Sequence, residues 1–131
     1  MKKIAINPTV VWNQYGCKLS TPIKIEMTNS KDLLQKLAIC IAACENCANA
    51  CLEEDMVKDM INCIKTDRDC ADICGTTHRL VARNSDNAGA MLKLCTEMCG
   101  KCAEECETHD MQHCQDCAKA CRECEKACQA A

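Results

Sequence analysis

Cys40, Cys44, Cys47 and Cys51 are spaced 4-3-4, and Cys95, Cys99, Cys102 and Cys106 repeat the same spacing. At roughly 100° per residue each set falls within an arc of about 60°, so each is one seam on one helix face and not a scatter of thiols. Cys114, Cys117, Cys121, Cys124 and Cys128 form a third seam; Cys63, Cys70 and Cys74 form a fourth, with Met60 and Asp67 filling the same phase. Those two arcs are about 80° wide by the same count. The step from Cys51 to Cys63 would rotate the stripe by about 120° on a continuous helix, so a turn is expected near residue 54.

From Ser30 onward there is no proline, and Ala, Leu, Glu, Lys and Met are frequent beside the cysteines, a composition that favours helix throughout. Helices are predicted over about 31–53, 56–83, 87–107 and 110–130, with Asp55 capping the second, the Asn84-Ser85-Asp86-Asn87 run the third and Thr108 the fourth. Four such segments joined by short turns read as an all-α, antiparallel up-down four-helix bundle, residues 30–131. Each helix buries its seam, so sixteen thiols are expected to face one axis. Residues 1–29 hold both prolines, both aromatics and the isolated Cys17, and are predicted to be an irregular N-terminal segment. Within it Ile23, Ile25 and Met27 alternate with Lys24 and Glu26, which suits a short extended stretch. Gly75 and Gly100 are expected to mark close helix contacts.

The core material is largely sulfur. The chain has 131 residues, enough for one core, and contains 17 cysteines but no Phe. In a short secreted chain that cysteine content would signal a disulfide scaffold. However, the start Met1-Lys2-Lys3-Ile4-Ala5-Ile6 runs straight into Asn7-Pro8 without the apolar stretch of a signal peptide, and no segment approaches membrane-spanning length. A cytoplasmic address is therefore expected, where thiols stay reduced and a large thiol set points to metal. The net charge of −3, with both signs mixed along the chain, leaves no electrostatic footprint for nucleic acid or an anionic membrane.

Packing alone would mix Leu, Ile and Val into the inward positions over several turns, so cysteine as a mere small hydrophobe is the weaker account of the seams. Disulfides within a seam are also awkward, because side chains at i and i+4 project in parallel. Thiols at i, i+4 converge on one ion, and those at i, i+3 link successive ions into a chain. Thiolate-only sites suit Cu(I), Zn(II) and iron-sulfur clusters. Iron-sulfur sites often use tight cysteine loops, and no proline follows any cysteine here. Structural zinc wants closed four-ligand knuckles, and four thiolates around one zinc leave about −2 in a dry core, whereas one Cu(I) per thiolate is neutral. The sixteen seam cysteines are thus expected to hold about sixteen Cu(I) with bridging thiolates, or about half that as isolated pairs.

The paired C-x3-C motifs (Cys40/Cys44, Cys47/Cys51, Cys70/Cys74, Cys95/Cys99, Cys102/Cys106, Cys117/Cys121, Cys124/Cys128) resemble those of the bacterial copper storage proteins, a family of cysteine-rich four-helix bundles. The resemblance covers residues 31 to 130. It implies a homotetramer of bundles, each holding many Cu(I) ions, and the absent signal peptide resembles the cytosolic branch. The N-terminal segment with Cys17 has no counterpart in that core.

The two ends of the rod differ. Leu33, Leu37, Val81 and Met91 or Leu92 are expected to form an apolar plug at one end. Met56, Met60, His109, Met111 and His113 gather at the other. Thioether and imidazole are neutral ligands, weaker for Cu(I) than thiolate, and suit a mouth that passes ions inward. The competing reading makes the methionines gap-fillers and the histidines surface caps. Asp67, on the cysteine face, is a candidate copper ligand or thiol partner, with a tilt to solvent as the alternative, while His78 is expected to be a satisfied or exposed histidine and not a ligand. A non-enzymatic copper store, with a copper chaperone as candidate partner, is the leading functional expectation. The alternatives are a zinc or mixed-metal thiolate buffer and a redox enzyme using C-x-x-C pairs. The latter is disfavoured because Cys44/Cys47 sits mid-helix, with no helix N-terminus to lower a thiol pKa.

Overall fold

The computed structural model describes residues 10–12, 14 and 18–131, with side-chain environments given from Ser30 onward and at Gln14. The chain divides into two compact units, Met1–Lys31 and Asp32–Ala131. In the first, β1 (Val10–Trp12) and β2 (Lys18–Ser20) pair antiparallel with Val11 opposite Leu19. Helix α1 runs Thr21–Cys51. The extended stretch expected at Ile23, Ile25 and Met27 is therefore helical. Three alternating residues are a weak signal, and Pro22 falls in the first helical turn, where its fixed φ suits a helix and its missing N–H has no intrahelical acceptor. The roles considered for Cys17 and for the Met1–Ile6 start lie outside the described residues.

The second unit is the four-helix bundle. After α1 come a 3-10 turn (Val57–Met60), α2 (Ile61–Ala82), α3 (Ala88–Glu107) and α4 (Gln112–Ala130). The turns use different residues from those the sequence pointed to. Asp55 does not cap α2; Met56 precedes the 3-10 turn without a side-chain cap. Asn84 ends α2 instead of helping to start α3. It sits at φ 53°, and Ser85 N–H donates to Leu80 O at 2.9 Å while Asn84 N–H donates to Val81 O at 3.1 Å. This is a Schellman closure, in which Asn tolerates the left-handed conformation better than most residues. Thr108 closes α3 by donating its hydroxyl to Glu105 O at 2.7 Å, and Met111 takes the position before α4.

All sixteen seam cysteines are buried and free. Few larger side chains share the core: Leu37, Met60, Thr77 and Asp67 are the bulkiest fully buried residues. Leu33 and Leu37 close one end as expected, with Val81 and Leu92 only partly buried beside them and Met91 half-buried. Thr77 continues the α2 stripe there and donates its hydroxyl to Ile73 O at 2.7 Å. Gly100 marks a close approach of α3 to α4, since a Cβ there would stand 2.6 Å from Glu125 Oε2. Gly75 marks none within this chain, for a Cβ there would meet nothing within 4 Å. Arg122 of α4 ties the same pair of helices together, reaching Glu107 at 2.6 Å.

Candidate metal centre

Sulfur spacing along the bundle axis sets what this interior can bind. Within single helices the Sγ atoms four residues apart lie at 3.9–4.0 Å: Cys47/Cys51, Cys70/Cys74, Cys95/Cys99 and Cys117/Cys121. Between helices they lie as close as 3.6 Å, for Cys44/Cys121, Cys74/Cys95 and Cys74/Cys99. At a metal–sulfur distance of about 2.3 Å, two thiolates on one trigonal or tetrahedral ion stand about 3.8–4.0 Å apart. A disulfide needs about 2.05 Å. The interior sulfurs are therefore spaced as thiolates on shared ions would be.

The ligand atoms converge in groups of four, each group lying within 4.8 Å. Cys40, Cys74, Cys99 and Cys124 bring one sulfur from each helix. Cys40, Cys44, Cys70 and Cys121 form the next, and Cys44, Cys102, Cys117 and Cys121 a third. Cys47, Cys51, Cys63 and Cys114 group together, as do Cys47, Cys63, Cys106 and Asp67. Successive groups share members, so a thiolate at Cys40, Cys44, Cys121, Cys47 or Cys63 must bridge when the groups on both sides of it are filled. Of the remaining seam cysteines, Cys95 stands beside Cys74 as above, and Cys128 closes the far end of α4. The sixteen thiols form one connected array.

Asp67 lies inside this array, fully buried. Its Oδ1 accepts from Cys102 at 3.2 Å, Cys117 at 3.4 Å and Cys106 at 3.5 Å, and Oδ2 accepts from Cys63 at 3.6 Å. Burial pushes its carboxyl up to about 8. Burial likewise pushes the Cys51 thiol up to about 12 and Cys114 upward. These thiols are neutral in the empty protein at neutral pH.

The mouth residues separate on inspection. His113 reaches the array directly: Nδ1 is 3.4 Å from Cys47 Sγ and 3.5 Å from Cys114 Sγ, and Nε2 is 2.8 Å from Glu54 Oε1. With Nε2–H donating to Glu54, the tautomer this geometry favours is the one whose Nδ1 lone pair faces the sulfurs. Met60 is buried and, with His109, Met111, Met56, Glu54, Asp59 and Asp110, lines a cleft of about 350 Å3. His109 there is held by Glu105 at 3.3 Å. Met56 is 64% exposed and stands at the rim. His78 is half-buried on α2, away from this end. Sequence reasoning missed Glu54, which follows α1 in a turn with no periodic signal, and the acidic lining of the cleft.

Fold and site together define a helical bundle whose interior is a multinuclear metal-thiolate container. The chain belongs to the copper storage protein family, whose model matches residues 26–131. It is similar to the Cu(I)-bound copper storage protein BsCsp3 (36% identity, 78% of this chain and 96% of that one, TM-score 0.75). It is also similar to a cytosolic copper storage protein from Streptomyces lividans described with five coppers (37% identity, 82% of this chain and 94% of that one, TM-score 0.78). A cysteine-rich Bacillus subtilis protein of uncharacterised function, YhjQ, is 41% identical over 81 residues, 62% of this chain and 75% of that protein.

Proposed function

We propose that this protein stores copper as Cu(I), bound by the thiolates of the sixteen seam cysteines within residues 30–131. The observation that carries the reading is the sharing of sulfurs between neighbouring four-ligand groups. Shared thiolates suit a monovalent ion, because one Cu(I) per thiolate keeps the dry core neutral. Storage without catalysis is the role such an array serves. The likeness to a cytosolic Streptomyces protein supports a cytoplasmic address, and among the described residues no helix is long and apolar enough to cross a membrane. We assign uptake to the His113 end, with Met60, Met111 and His109 guiding ions from the acidic cleft and Met56 at its rim, and we count Asp67 among the ligands. A Cu(I) chaperone is the partner this end would serve, and assembly as a homotetramer is part of the same reading.

Titration with Cu(I) under anaerobic conditions tests storage directly. Because the thiols start neutral, each Cu(I) should displace about one proton when thiolates bridge, while Zn(II) in a neutral site would displace about two. Saturation after only a few ions would remove the storage reading, and a ratio near two with Cu(I) would replace bridging thiolates by isolated thiolate pairs. The uptake end is tested by His113→Ala, which should slow loading while leaving the final copper content nearly unchanged. Unaltered loading kinetics would remove His113 from the path.

A further inference from the structure

Among the described residues, the apolar closure by Leu33 and Leu37 does not extend over the α3 and α4 side of the end away from the histidines. A cleft of about 390 Å3 opens there, lined by Gly89, Leu92, Lys93 and Thr96 of α3 and by Cys128 and Gln129 of α4. Cys128 is the one seam cysteine among the described residues that is not wholly buried, with 3% of its residue surface exposed against 0% for the other fifteen. Inside, Cys95 and Cys124 stand next to it. The array thus comes nearest to solvent at this end at Cys128, which lines the cleft, whereas at the mouth it lies behind an imidazole.

We propose that this cleft is a second port, at which a small thiol bearing both a carboxylate and an ammonium group withdraws Cu(I) from the store through Cys128. The proposal rests on the storage reading above. Ions held by bridging thiolates in a closed core leave slowly by simple dissociation, because no water replaces the lost ligand. An incoming sulfur that reaches the ion changes that. Its sulfur forms a bond to the Cu(I) held by Cys128, the bond from copper to Cys128 breaks, and the proton of the incoming thiol passes to Cys128 Sγ; a second incoming thiol makes the same exchange at the ion's other core sulfur, and the copper leaves bound to the two small thiolates. Copper stays Cu(I) and charge is conserved. The cleft wall supplies recognition. Lys93 suits the carboxylate and Glu97, four residues on and also lining the cleft, suits the ammonium. The Thr96 hydroxyl donates to Leu92 O at 2.8 Å, so its oxygen remains as an acceptor for a ligand N–H.

The test uses the full chain loaded with Cu(I), its copper content measured first, and reduced glutathione as the probe with 2-mercaptoethanol as an uncharged comparison. Gly89→Trp places bulk in the cleft without moving the backbone, since a Cβ at Gly89 meets nothing within 4 Å. It should slow glutathione-driven copper release by about tenfold while leaving the loaded copper content unchanged. Lys93→Glu should slow release to glutathione by a similar factor and leave release to 2-mercaptoethanol unaltered. Wild-type release rates in Gly89→Trp would overturn the port, and equal slowing of both thiols in Lys93→Glu would overturn carboxylate recognition. A chain that never takes up more than a few Cu(I) would overturn the storage reading instead.

Discussion

Replacing Cys44 and Cys121 together by alanine should remove far more copper than two thiols account for. Both belong to two of the four-ligand groups, Cys40/Cys44/Cys70/Cys121 and Cys44/Cys102/Cys117/Cys121, and their sulfurs lie 3.6 Å apart. Without them both groups fall to two ligands, and six thiols lose their shared arrangement. The expected loss is roughly six Cu(I), against about two for Cys51→Ala with Cys128→Ala at the ends of the array. Each lost sulfur should lower the stability of the empty fold by only about 1 kcal/mol, so helix content measured by circular dichroism should survive. Equal losses in the two double variants would show that the ions bind in independent sites.

The second large effect concerns the empty protein and pH. The Asp67 carboxyl titrates near 3.8 when unfolded and is pushed up to about 8 in the bundle, chiefly by burial. Between those values the folded state holds about one proton more than the unfolded state, so stability is full near pH 4 and falls as pH rises toward 8. The slope contributed by this group is about 1.4 kcal/mol per pH unit. From pH 5 to 8 this accumulates to about 4 kcal/mol, a large fraction of the roughly 5–15 kcal/mol by which domains are stable. Asp67→Asn keeps an oxygen to accept from Cys102 and Cys117 but cannot ionise, so chemical denaturation of metal-free protein from pH 5 to 8 should show a much flatter dependence. The same slope in both proteins would mean that Asp67 is not the titrating group.

The seams were legible because one constraint, a thiol on the inner face at every turn, leaves a periodic trace of 3 and 4 in the chain. Cys40 through Cys51 and Cys95 through Cys106 announce helix, phase and inward face at once, and the same phase argument put Met60 and Asp67 inside. The ends of the helices carry no such trace. Asn84 serves the helix before it because a left-handed residue is needed where α2 stops, and Thr108 finds a carbonyl of its own helix before it meets an N–H of the next. Glu54 pairs with His113 across 59 residues of sequence, a contact set by where α1 stops relative to where α4 begins. Openings such as the Cys128 cleft depend on how far two helix ends splay, which no repeat records.

The scarcity of large buried hydrocarbons carries one last consequence. Where most bundles are held by side chains made with the polypeptide, here much of the inner wall is sulfur awaiting a guest. Binding that favours the folded chain raises its stability with every ion taken up. Resistance to heat and to proteases then becomes a gauge of how full the vessel is. In a cell that clears loosely folded chains, lifetime itself would report the copper ledger, sparing laden molecules and recycling idle ones.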